Sequence, residues 1–150
     1  MTRSTTLGLV LVTTVALGTM TACGGNSSDT SALPAPSGTV VTDTFTGTVA
    51  LPVAGVLQAD VHNFTVAVAG SISITLTAAG PPATITMGLG VGNPAADGSC
   101  SFLSGGTTQT PAGSTAQLSG SLAAGTYCVA VGDIGNALQP ISYTVTVAHT

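Results

Sequence analysis

From Val40 onward the chain alternates. Phe64, Val66 and Val68 are separated by Thr65 and Ala67, and Ile72, Ile74 and Leu76 by Ser73 and Thr75. Ile85, Met87, Leu89 and Val91 form a third set, Tyr127, Val129 and Val131 a fourth, and Tyr143, Val145 and Val147 a fifth. A period of two puts successive side chains on opposite faces of a strand. Each run therefore presents one apolar face and one face of small or hydroxylated groups. Pro81-Pro82, Asn93-Pro94 and Gly105-Gly106 punctuate the runs as loops. Ala69-Gly70 lies between two runs and predicts a hairpin, and Ala124-Gly125 predicts a second tight turn. No convincing amphipathic helix emerges. About eight strands joined by turns predict an all-β domain, an antiparallel β-sandwich over residues 40–150.

The first residues follow a different pattern. A basic start with Arg3 leads into an apolar run from Leu7 to Leu17, and small residues precede a cysteine in Met20-Thr21-Ala22-Cys23. This is the layout of a signal peptide over residues 1–22. The last four residues resemble the lipobox of bacterial lipoproteins, which implies that Cys23 receives a diacylglycerol anchor in a membrane. The apolar run is short for a span of about 30 Å of hydrocarbon, which argues against an uncleaved transmembrane anchor. Gly24 follows the cysteine where an Asp would argue for inner-membrane retention. In a cell with two membranes the resemblance therefore implies the outer one. Residues 23–39 have little to bury and many turn formers, and are expected to be a flexible tether.

Composition narrows the chemistry. Removing 22 residues from 150 leaves 128, enough for one domain. The chain has one basic residue, Arg3, and five acids, Asp29, Asp43, Asp60, Asp97 and Asp133, with no Glu. Without its leader it has no cation to neutralise phosphates, so nucleic acid is excluded as a partner. Lys Schiff bases and Arg clamps are excluded as well. The charged fraction is 4%, so polarity must come from Thr, Ser, Gly and Asn, and the strands should carry hydroxyl-coated outer faces.

Cys100 and Cys128 remain once Cys23 is assigned to lipid, and two further cysteines in an exported domain are expected to pair. The loop they close is worth roughly 3–4 kcal/mol in the chain-entropy model. A reactive thiol would need a histidine base, and nothing in the spacing of His62 and His149 supplies one. His62 is in step with Phe64 and Val66 and reads as a histidine at the edge of the core. His149 stands near the end of the sequence and is expected to be exposed and frayed. No His-x-His or Cys-x-x-Cys spacing suggests a transition metal. No Gly-x-Ser-x-Gly elbow occurs, and no carboxylate pair suits glycoside hydrolysis. The aromatic residues mostly fall on apolar faces and are expected in the core.

Five stretches carry a family likeness. They are Phe45-Thr46-Gly47-Thr48, Asp60-Val61-His62-Asn63-Phe64-Thr65-Val66, Gly70-Ser71-Ile72-Ser73-Ile74-Thr75-Leu76, Leu122-Ala123-Ala124-Gly125-Thr126-Tyr127-Cys128-Val129 and Tyr143-Thr144-Val145-Thr146-Val147. Together they resemble the bacterial pre-peptidase C-terminal domain over residues 43 to 148. The resemblance implies a jelly-roll-like sandwich. Because some members of that family bind calcium through loop acids, it also makes Asp60, Asp97 and Asp133 calcium candidates. Six to eight oxygens are needed for calcium and no dense acidic loop is present, so Asx-turn roles are the default for these acids. The sequence thus points to an exported, lipid-anchored protein with a non-catalytic binding or accessory module. Its expected partner is an envelope protein or polysaccharide, and it requires no cofactor. A structural component of the envelope or surface layer is the alternative.

Overall fold

A computed structural model describes residues 38–150, within a compact unit that spans Ala35–Thr150. The leader, Cys23 and most of the tether lie outside the described residues. Eight strands follow in order: β1 Val41–Val49, β2 Ala59–Val66, β3 Gly70–Gly80, β4 Thr86–Pro94, β5 Cys100–Pro111, β6 Leu118–Leu122, β7 Gly125–Gly132 and β8 Ile141–His149. There is no helix among the described residues. Two antiparallel four-stranded sheets result, with orders β1-β8-β3-β6 and β2-β7-β4-β5. The pairs β1·β8, β2·β7, β3·β6 and β4·β5 are those of a long ribbon folded at its middle and wrapped into two layers. This is the jelly-roll arrangement of a β-sandwich.

The alternation in the sequence explains the layers. Ile74 and Leu76 from β3, Met87 and Leu89 from β4, Val129 and Val131 from β7, and Val145 and Val147 from β8 are fully or almost fully buried. Each removes roughly 1.5–3 kcal/mol worth of apolar surface from water. Between them Thr44, Thr46, Ser142, Thr144, Ser73 and Thr75 coat the outer face of the first sheet, as the composition predicts. β3 bulges between Leu76 and Ala78, and β6 begins only at Leu118. Gln117 supplies what the short edge strand does not: its Oε1 accepts Leu76 N–H at 2.7 Å.

Two expectations fail here. Ala69-Gly70 does not close a hairpin, because β2 and β3 belong to different sheets and the connection crosses from one layer to the other. Both strands carry an apolar face, and those faces meet across the core instead of lying side by side. Ala124-Gly125 does close a tight link, with two residues between β6 and β7, although those strands too belong to different sheets. His149 is not frayed: it is 4% exposed, with Val41 beside it on one flank and Ile72 on the other.

The antiparallel register gathers the connections at two ends. Val49 faces Ile141, Gly80 faces Ser142 and Ala59 faces Gly132. The β1–β2, β3–β4, β5–β6 and β7–β8 loops therefore share one end of the sandwich. Residue 38, where the chain enters, lies at the opposite end beside Thr150.

Candidate functional site

Five titratable groups, Asp43, Asp60, His62, Tyr143 and His149, collect along the seam where β1 and β2, the edge strands of the two sheets, approach each other. Asp60 and His62 stand two residues apart on β2 and share its inner face. Tyr143 reaches them from β8. Its hydroxyl donates to Asp60 Oδ2 at 2.7 Å and lies 2.7 Å from His62 Nε2. The one phenolic proton goes to the carboxylate, so Nε2 of His62 must carry the proton that it donates to Tyr143. Phe45 stacks on the imidazole with ring centroids 4.8 Å apart. Burial first, then the bond to Asp60 and its negative charge, push the Tyr143 hydroxyl well above the ordinary tyrosine pKa, so it remains a phenol. Gly47 lies opposite Tyr143 in the register, and a Cβ there would fall on Asp60 Oδ2 and the Tyr143 hydroxyl.

A second pair sits farther along the seam. Asp43 Oδ2 accepts from His149 Nε2 at 3.0 Å, while His149 Nδ1 is buried without a partner. Both imidazoles are thus held by structural bonds, as the sequence suggested for His62 and did not for His149.

The calcium candidates do not converge. Asp60 is in the seam. Asp97 lies in the β4–β5 turn at the other end, where its Oδ1 accepts Ser99 N–H at 3.0 Å and the Ser99 hydroxyl at 2.6 Å. Those bonds, the hydroxyl first, hold its carboxyl below the usual range. Asp133 Oδ1 takes the N–H groups of Gly135, Asn136 and Ala137 at 3.0, 3.1 and 3.2 Å, organising the β7–β8 loop. Asp97 and Asp133 thus fill the turn-forming role read as their default. Among the described residues no three His, Cys, Asp or Glu side chains gather to hold a metal.

Cys100 and Cys128 are joined by a disulfide with Cα atoms 5.8 Å apart. The bridge spans β4, whose Gly92 faces Cys128 and whose Pro94 faces Cys100.

Beside this bridge, the outer face of the second sheet holds a groove that the sequence reading did not single out. Met87, Leu89 and Val91 point into the core, so Gly88 and Gly90 point outward. On neighbouring β7, Ala130 and Gly132 do the same. Paired strands place these four positions together as a floor almost without side chains. Phe102, 51% exposed and not in the core as expected for the aromatics, lies directly over Gly90 and leaves no room for a Cβ there. Leu57 and Ile134 border the other end, with Gln58, Thr107 and Gln109 at the sides, around about 350 Å³ of open space. Asp133, 5% exposed, closes one end, and its Oδ2 has no partner. The alternation of core residues with glycine, where other strands use Ser or Thr, was the signal available in the sequence. A larger cleft of about 580 Å³ lies at the seam between β1 and β2, around His149 and Asp43.

No protein family, curated protein sequence or solved structure matches the chain.

Proposed function

We propose that this chain is an exported lipoprotein anchored through Cys23, and that its sandwich is a non-catalytic module binding an uncharged polysaccharide of the cell envelope. The groove carries this reading. A floor of glycine and alanine accepts a flat ligand at close range, and Phe102 offers an exposed aromatic ring beside it. Gln58, Thr107 and Gln109 present amide and hydroxyl groups at the rim, and Asp133 Oδ2 is an acceptor without a donor. A pyranose matches this set: C–H faces for the floor and ring, hydroxyl donors for the oxygens. The absence of any Lys or Arg after residue 3 fits a neutral ligand better than an anionic one. The structural bonds held by His62 and His149, and the retained proton of Tyr143, support the non-catalytic part.

Cosedimentation with purified envelope polysaccharide tests the groove. The wild-type chain should be retained, and Phe102→Ala should weaken retention about tenfold or more, the scale of an aromatic anchor, with an unchanged circular dichroism spectrum. Equal retention of the two, or retention of neither, refutes the polysaccharide reading. Capture by envelope protein alone would replace it with a protein ligand. Labelling with a fatty-acid probe tests the anchor, and label that persists in Cys23→Ala would rule it out.

A further inference from the structure

The end of the sandwich farthest from residue 38 is unusual in its chemistry. The β1–β2 loop reads Ala50-Leu51-Pro52-Val53-Ala54-Gly55-Val56-Leu57, without a charge or a hydroxyl, and all eight residues are exposed. Val53 and Val56 are 65% and 64% exposed at its tip. Leu138, 94% exposed, projects from the β7–β8 loop at the same end. The two loops are tied together: Asp133 N–H donates to the Gln58 carbonyl at 3.0 Å, and Leu57 lies against Gly135. The two acids near this end are engaged, Asp60 by Tyr143 and Asp133 by its own loop. Among the described residues the other two acids, Asp43 and Asp97, lie at the opposite end.

Two backbone bonds also close the tip on itself. Val53 N–H donates to the Val56 carbonyl at 3.1 Å, and Val56 N–H donates back to Val53 at 2.9 Å. A loop leaves water for hydrocarbon at lower cost when its backbone groups are satisfied internally, and these two bonds satisfy the N–H and carbonyl groups of the two valines at the tip. Its two central residues, Ala54 and Gly55, have φ of 51° and 79°. That left-handed pair suits a two-residue hairpin turn, for which Asn-Gly is the favoured sequence. Alanine is strained at the first position, where asparagine would fit with less cost. The strained residue is the one that leaves the tip without a polar group.

We infer that this end of the sandwich inserts into the surface of a lipid bilayer, with Val53, Val56 and Leu138 as the penetrating side chains. The occupant is lipid because the surface is apolar, uncharged and projecting. It recognises no headgroup charge, since the chain beyond its leader has no cation. The inference rests on the anchored reading only for the nearness of a membrane. The 15 residues from Cys23 to residue 37 reach at most about 50 Å, whereas β5, with 12 residues, is about 40 Å long. The tether can therefore run the height of the sandwich and let the far end turn back to the bilayer that holds the anchor. Insertion then becomes an intramolecular event at high effective concentration.

Vesicle flotation tests this with the chain from residue 23 onward carrying Cys23→Ser, so that neither acylation nor the groove enters the outcome. The chain should float with vesicles of phosphatidylcholine alone and, to a similar extent, with vesicles that also contain phosphatidylglycerol. Added salt should not release it. Val53→Asp and Val56→Asp should each lower partitioning about tenfold or more, since an apolar contact becomes a charge to be desolvated. Thr44→Asp, on the outer face of β1, should leave it unchanged. Ala54→Asn should raise the urea midpoint while lowering partitioning, a combination that a merely structural turn would not give. Val53→Trp would be the only tryptophan in the chain, and its emission should shift to the blue on vesicle addition. Wild-type chain that stays out of the vesicle fraction, binding confined to anionic vesicles, or Val53→Asp floating like wild type would each overturn the inference.

Discussion

Replacing Gly47 with alanine adds one methyl group to the middle of β1, and the sign of its effect separates two accounts of the seam. If Gly47 were merely a weak strand residue, alanine would stabilise the protein by about 0.5–1 kcal/mol by restricting the unfolded chain. In the structure the new Cβ falls on Asp60 Oδ2 and the Tyr143 hydroxyl. Relief requires parting the Tyr143–Asp60 hydrogen bond. Asp60 is partly exposed and can turn to water, but Tyr143 is 3% exposed and its hydroxyl would lose the acceptor it donates to. An orphaned buried donor costs about 1–3 kcal/mol, so the net expectation is a loss of about 1–2 kcal/mol. Urea unfolding at neutral pH of wild type, Gly47→Ala, Tyr143→Phe and the double variant measures it. The double variant should be more stable than the sum of the single losses predicts, with a coupling of about 0.5–1 kcal/mol or more. Gly47→Ala at or above wild-type stability, or strict additivity, would refute the view that this glycine exists to admit the cluster.

Two further expectations follow from the same structure. Because the folded state raises the Tyr143 pKa above its unfolded value near 10, its contribution is full below about pH 10 and lost as pH climbs through the folded value. The urea midpoint should therefore fall more steeply above pH 10 in wild type than in Tyr143→Phe, and parallel curves would contradict this. Converting Cys100 and Cys128 together to alanine should cost about 3–4 kcal/mol for a bridge between residues 28 apart. An unfolding free energy within about 1 kcal/mol of the oxidised protein's would contradict that.

Much of the fold was legible because period two reports directly on burial. The inward sets of β3, β4, β7 and β8 are those that alternate in the sequence, and the hydroxylated outer face of β1, β8 and β3 follows from the same rule. Periodicity tells which face a residue occupies and nothing about which strand lies beside it. That is why Ala69-Gly70 suggested a hairpin between strands that in fact face each other across the core. The same blindness hid both sites. Asp60 and His62 share a face by their spacing, but Tyr143 joins them only through the sandwich, 81 residues from His62. Gly88 and Gly90 alternate visibly with core residues, yet they become a groove floor only because β4 lies beside β7 with Ala130 and Gly132 in register. His149 misled for a different reason: nearness to the end of the sequence suggested solvent, while β1 and β3 flank that end of β8 on both sides.

The placement of residue 38 at one end of the sandwich and the four loops at the other sets how the domain would carry a pull. A force between residue 38 and something gripped at the β7–β8 loop runs along β1 and β8, parallel to both strands. It would slide β1 against β8, so all nine residue pairs of that ladder, from Val41·His149 to Val49·Ile141, would resist together. The same ladder pulled apart between residues 38 and 150, which lie side by side, would open like a zip, one rung at a time. A sandwich loaded along its strands in this way is held in the stronger of these two geometries.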